Sequence, residues 1–191
     1  MSWLNDYQII LGSGSPRRVQ LLREAGYNYT QRVIEIDESF DSDMPIHIVA
    51  EHLAVLKSQA HTLNEKELLI TADSVVIIND QILGKPKNRK EAEDFLHLLS
   101  GSTHIVHTGV CLRSSDNQDS FTAASEVTLA NLSHEEIGYY IEHYPPYDRA
   151  GGYGVQDWIG HNCVTEIKGS YTNIMGLPTA ELYARLRHFC S

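Results

Sequence analysis

The apolar run Ile9-Ile10-Leu11 gives way at once to Gly12-Ser13-Gly14-Ser15, which predicts a buried strand running into a loop. From Pro16 the spacing turns helical, with Leu21, Leu22 and Ala25 apolar and Gly26 as the stop. Tyr29 to Ile36 alternates as a second strand would, and leads into the acidic segment Glu35-Ile36-Asp37-Glu38-Ser39. After a loop containing Pro45, the stretch from Ile46 to Leu63 has helical period, with Ile46, Val49, Ala50, Leu53, Leu56 and Ala60 on the apolar side. Leu68-Leu69-Ile70-Thr71-Ala72 reads as a buried strand. The apolar run resumes past Asp73-Ser74 at Val75-Val76-Ile77-Ile78, and Asn79-Asp80 predicts a hairpin turn.

Helical spacing returns over Arg89–Leu99 and ends at Ser100-Gly101. Two strand-like stretches, about 103–113 and 120–130, flank a polar turn at Ser114 to Gln118. Ser133 and Glu136 form a capping box that starts a helix running to about His143. Glycine- and tyrosine-rich loops fill 145–156, an apolar stretch covers 159–167, and a last helix begins near Pro178. Strands and helices that alternate, with a few hairpins, predict an α/β fold with a mixed sheet. Ligands in such folds sit at strand carboxyl ends, where Ser13 and Asp73 are expected, so a shared cleft is predicted between them. No repeat, linker or low-complexity tract divides the 191 residues, which predicts one domain over 1–191, at most with two lobes.

Charge changes the picture of partners. Lys and Arg number 15 against 25 Asp and Glu, a formal net charge of −10, which opposes broad adhesion to nucleic acid or to an anionic membrane. A polyanionic ligand therefore needs a local basic pocket. Met1 to Tyr7 carries no basic region followed by a long apolar stretch, so a cytoplasmic location is expected. Cys111, Cys163 and Cys190 are odd in number and widely spaced, which indicates neither a disulfide framework nor a zinc knuckle. His104 and His107 are the closest histidine pair, but on a strand they face opposite sides. His47, His52, His61 and His97 read as surface residues on helical stretches.

Candidate chemistry gathers in the glycine-rich segments. In Leu11-Gly12-Ser13-Gly14-Ser15-Pro16-Arg17-Arg18, glycines allow close approach, serines add hydroxyls, and Ser15 with Pro16 predicts a helix N-terminus facing an anion. Arg17 and Arg18 add two guanidinium forks matched to phosphate. The ending lacks the Gly-Lys-Ser/Thr of a P-loop and the third glycine of a dinucleotide fingerprint. Asp73 interrupts an apolar run where an unpaired charge is costly, and Lys85 sits between Gly84 and Pro86 in a constrained segment. Glu38 is an oxygen donor of the kind that holds Mg²⁺ or Mn²⁺ with substrate phosphates. Lys57, near the apolar stripe of its helix, reads by itself as a snorkelling lysine. Gln156, after Gly152-Tyr153-Gly154-Val155, offers donor and acceptor together to a base edge.

Ser13-x-Ser15-Pro16-Arg17-Arg18, Ala72-Asp73-Ser74, Gly84-Lys85-Pro86, Leu99-Ser100-Gly101 with His104 and Thr108, Ala150 through Gln156, and Gly169-Ser170-Tyr171 through Gly176-Leu177-Pro178 follow one another in an order that resembles the Maf family, also called septum formation inhibitor Maf. The resemblance spans nearly the whole chain. It implies the fold of the inosine triphosphate pyrophosphatases, an elongated mixed sheet with flanking helices and two lobes around a central cleft. It also implies hydrolysis of a nucleoside triphosphate between the α and β phosphates. Position by position, Asp73 matches the proton acceptor that activates water, and Ser13, Arg18, Lys57 and Lys85 match phosphate-handling groups. Glu38 matches a residue linked to a divalent metal, Mg²⁺ or Mn²⁺, with Asp73 as a second candidate ligand. Arg17, Ser74 and Gln156 correspond to the arginine, threonine and glutamine of the branch acting on dTTP and UTP, with serine in place of threonine at 74. The implied activity is thus a dTTP/UTP pyrophosphatase that sanitises the nucleotide pool, with modified uridine triphosphates or CTP as further substrates and a homodimer as the assembly the family suggests. The alternatives are the 7-methyl-GTP branch, which has tryptophan, glutamine and glutamate at the three positions, and a nucleotide-binding regulator of septum formation and cell division.

Overall fold

A computed structural model describes residue 4 and residues 6–190. The reading of Met1 to Tyr7 as lacking a leader falls mostly outside these. Seven strands are described: β1 (Gln8–Leu11), β2 (Tyr29–Gln31), β3 (Glu67–Ile78), β4 (Gln81–Leu83), β5 (Thr103–Arg113), β6 (Gln118–Leu129) and β7 (Val164–Lys168). They form one sheet in the order β2-β1-β3-β5-β6-β7, with β4 paired to β3. The helices are α1 (Pro16–Glu24), α2 (Ile46–Gln59), α3 (Arg89–Leu99), α4 (His134–His143), α5 (Trp158–Cys163), α6 (Tyr171–Ile174) and α7 (Thr179–Phe189). β1 runs parallel to β2 and β3, whereas β3–β4 and β6–β7 are antiparallel, so the sheet is mixed as the alternation of elements predicts.

The chain divides into two compact units. The first holds the chain up to Asp73, Thr108–Ala123 and the segment from Gly176 onward; the second holds Ser74–His107 and Ala124–Met175. Strands β3, β5 and β6 contribute to both. In the first unit, Ile10 and Leu11 of β1 and Leu68, Leu69 and Ile70 of β3 are fully buried beside Leu22 of α1. In the second, Leu96 and Leu99 of α3 are fully buried, as is Tyr140 of α4.

Four expectations need correcting. β2 stops at Gln31 instead of reaching Ile36, because its partner β1 ends at Leu11, the residue opposite Gln31, and offers nothing further to pair with. Helix α2 ends at Gln59, not Leu63; the Arg113 guanidinium on β5 donates to the carbonyls of Ser58 and His61 and closes the helix there. Its buried face is Val49, Ala50, Leu53, Ala54 and Ser58, with Ile46, Leu56 and Ala60 outside it. The small residues decide this, because the helix lies on β5 so closely that a Cβ on Gly109 would stand 2.2 Å from the Ala50 carbonyl. His61 is consequently buried rather than on the surface, at 4% exposure.

Other readings hold in detail. The β3–β4 hairpin turns on Asn79 and Asp80, both at positive φ. The Ser133–Glu136 capping box forms in both directions. His104 is buried and His107 half-buried, on opposite faces of β5.

Candidate active site

In the first unit β1 delivers the chain into Gly12-Ser13-Gly14-Ser15, and α1 leaves it with Ser15 as N-cap and Pro16 at its first position. The Ser15 side chain makes no capping bond. Its backbone N–H donates instead to the Ser13 hydroxyl at 3.2 Å, and Arg18 Nη1 donates to the same oxygen at 3.3 Å. Arg18 is anchored a second time by Nε, which donates to the Gly176 carbonyl at 2.8 Å. From the end of β2, Gln31 donates to the Ser13 carbonyl at 2.7 Å and fixes the loop from below. No pattern in the sequence marks Gln31, because an amide at a strand end is an ordinary surface residue until its partner is known.

Asp73 lies within β3, not at its end as expected, and the strand continues to Ile78. The pairing register explains how it still reaches the site. β1 stops opposite Ile70, so Asp73 lies three residues beyond the carboxyl end of its parallel neighbour, where the serine loop begins. Lys57 of α2 donates to Asp73 Oδ1 and lies 2.9 Å from Glu38 Oε1. Lys57 and Asp73 keep only 15% and 12% of their side-chain surface exposed, whereas Glu38 keeps 45%. The pair is therefore shielded while its third member faces solvent. Burial lowers the pKa of the Arg18 guanidinium, an effect opposed by Asp73, enhanced by Arg17 and opposed again by Glu38; it remains a cation close to both carboxylates.

This donor set fits a divalent cation. Glu38 and Asp73 both contact Lys57 Nζ, and as hard oxygen donors on the two sides of that ammonium they are of the kind that suits Mg²⁺ or Mn²⁺ together with phosphate oxygens and water. Among the described residues no cluster of three or more His, Cys, Asp or Glu side chains forms a ready-made cage.

The remaining candidates belong to the second unit, except Arg17, which is half-buried beside Arg18 on α1. Ser74 follows Asp73 on the same strand, so the two side chains leave opposite faces. Lys85 is exposed after β4, on a segment tied to the glycine-rich turn by a hydrogen bond from Gly151 N–H to the Gly84 carbonyl at 3.0 Å. That turn, Ala150–Gly152, leads to Gln156, whose side-chain carbonyl oxygen is buried and accepts no hydrogen bond among the described residues. Nearby, Arg149, Asp157 and Tyr140 form a closed network that sequence reasoning missed. Three polar residues spread over 140–157 carry no joint pattern until α4 and the turn are packed.

The family model described as Maf-like protein matches residues 8–189. The chain is 46% identical over 187 residues to a dTTP/UTP pyrophosphatase of Bacteroides thetaiotaomicron, with 96% of this chain and 97% of the relative covered. It is 44% identical over 191 residues to a dTTP/UTP pyrophosphatase of Porphyromonas gingivalis, with 97% and 96% covered. Two solved structures are similar in fold at low identity. A HAM1 protein from Coxiella burnetii matches with a TM-score of 0.57 at 13% identity, over 95% of this chain and 99% of that one. The Staphylococcus aureus Ham1 protein matches with a TM-score of 0.53 at 15% identity, over 93% and 99%. The serine–arginine loop and the Lys57–Asp73 pair thus sit in a chain matched from strand β1 to the last helix, and the protein belongs to the Maf-like family.

Proposed function

We infer that this protein is a nucleoside triphosphate pyrophosphatase that hydrolyses dTTP and UTP to the monophosphate and pyrophosphate. The observation that carries the chemistry is the meeting of Lys57 with Asp73 and Glu38 in the same unit as the Ser13–Arg18 loop. The names of the relatives, dTTP/UTP pyrophosphatases at 46% and 44% identity over nearly the whole chain, support the substrate class.

In this reading Ser13, the amides at the start of α1 and Arg18 bind phosphate oxygens, with Lys85 as a further cation. Asp73 takes a proton from water as its oxygen forms a bond to the α-phosphorus. The bond from that phosphorus to the bridging oxygen breaks, and the electron pair leaves with pyrophosphate. Lys57 orients the Asp73 carboxylate and spreads positive charge toward the developing anion. A divalent cation, when bound, would be held by Glu38 and Asp73 and would offset phosphate charge during the attack. Arg17, Ser74 and Gln156 select the base; serine at 74 keeps the hydroxyl of the threonine expected there and lacks its methyl.

A panel of dTTP, UTP, CTP and 7-methyl-GTP with Mg²⁺ or Mn²⁺, with pyrophosphate scored separately from orthophosphate, tests the proposal. Pyrophosphate should appear as the first product from dTTP and UTP, and Asp73→Asn should lower kcat by about a hundredfold or more. Orthophosphate as first product, full activity in Asp73→Asn, or faster turnover of 7-methyl-GTP would falsify it.

A further inference from the structure

Tyr140 on α4 is fully buried, and its hydroxyl uses all of its hydrogen-bonding capacity on one turn of chain. It accepts from Gly154 N–H at 2.9 Å and from Arg149 Nη1 at 2.9 Å, and it donates to Asp157 Oδ2 at 3.1 Å. Arg149 Nη1 also donates to Asp157 Oδ2, so the three side chains form a closed ring of contacts. Burial pushes the Tyr140 hydroxyl above the ordinary tyrosine range, which keeps its proton in place.

The backbone enclosed by this ring is Gly154-Val155-Gln156-Asp157, closed by a hydrogen bond from Asp157 N–H to the Gly154 carbonyl at 3.0 Å. Gly154 lets the turn pack tightly: a Cβ there would stand 2.7 Å from both Asp157 Oδ2 and Gln156 Nε2. The Gln156 Nε2 thus lies beside Gly154 on a backbone fixed on either side, while its carbonyl oxygen is buried without a hydrogen-bond donor among the described residues. A buried acceptor without a donor costs free energy, and a ligand donor would recover it.

We propose that Tyr140, through Gly154, Asp157 and Arg149, is a positioning residue for base selection, which holds the Gln156 carbonyl oxygen as an acceptor for the imide N–H of uracil or thymine. The proposal rests on Gln156 reading the base. Cytosine presents an acceptor at the corresponding ring nitrogen, so the arrangement favours dTTP and UTP over dCTP and CTP and leaves CTP, admitted by the family resemblance, as the poorer substrate.

The test compares kcat/KM for dTTP and dCTP in the full-length wild type, Tyr140→Phe, Gln156→Leu and the double variant. Tyr140→Phe should raise KM for dTTP and reduce the dTTP-to-dCTP preference by about tenfold, with kcat nearly unchanged. The double variant should have the preference of Gln156→Leu alone, because Tyr140 acts through that residue. Additive losses, or an unchanged preference in Tyr140→Phe, would overturn the proposal even with Gln156→Leu impaired. An unchanged preference in Gln156→Leu would instead remove the base-reading role itself. If Tyr140→Phe does not fold, Asp157→Asn, which keeps the shape of the ring and removes its charge, replaces it in the same cycle with the same expected outcomes.

Discussion

Lys57 and Asp73 show how a residue acquires meaning from its partner. Alone, Lys57 is a lysine beside an apolar stripe and Asp73 a charge in a strand; together, with little surface exposed, they form a shielded ion pair that neither can leave cheaply. The candidate role of Asp73 was legible because it interrupts an apolar run, whereas Lys57 was singled out only through the family resemblance. His104 carries a separate prediction at this scale. It hydrogen-bonds the Tyr153 hydroxyl at 2.7 Å through Nε2, and burial lowers its pKa to about 4. A histidine held neutral in the folded state binds its proton more readily when unfolded, so its contribution to stability is present above about pH 6.5 and is lost as pH falls toward 4. His104→Gln should flatten the loss of stability between pH 6.5 and 4.5, by up to roughly 3 kcal/mol in urea melts. The same slope in wild type and variant would show that His104 does not set it.

At the scale of elements, α2 is the piece that brings Lys57 to Asp73, and its seat is made of small contacts. Ala50 lies over Gly109, the Thr71 hydroxyl donates to the Ala54 carbonyl at 2.7 Å, and Cys111 Sγ lies 3.4 Å from the Ser58 hydroxyl. Glu51 accepts from Ser120 and Thr122 on β6 at 2.7 and 3.0 Å. Gly109→Ala would put a methyl into helix backbone, so α2 must lift from β5. The variant should lose about 1–3 kcal/mol of stability, and its kcat should fall by at least about tenfold as Lys57 leaves Asp73. Thermal melts and initial rates check this; a folded variant with wild-type kcat would show that the seat of α2 does not govern the pair. The existence of α2 was legible from its period, and so were Val49, Ala50 and Leu53 of its buried face, but the turn toward Ala54 and Ser58 and away from Ile46, Leu56 and Ala60 was not. Hydropathy ranks Ile46 and Leu56 above Ala54 and Ser58, whereas close packing against a strand selects the small side chains.

For the whole molecule, three strands run through both compact units, which ties their unfolding together. Far-UV circular dichroism and tryptophan fluorescence should therefore report coincident midpoints in a denaturant titration, and two separated transitions would contradict that coupling. No helix among the described residues is long and apolar enough to cross a membrane. The sequence by itself determined the order of strands and helices, the serine–arginine loop, the Asn79-Asp80 hairpin and the capping box at Ser133. Each of these is local, set by residues within a turn or two of one another. The tertiary structure alone decided where β2 and α2 end, that α2 buries Ala54 and Ser58 in place of Ile46 and Leu56, that Lys57 meets Asp73 and Glu38, and that Tyr140 closes on Gly154 and Asp157. These depend on the register of β1 with β3 and on the depth at which helices settle on the sheet, contacts between residues far apart in the chain that no local pattern encodes.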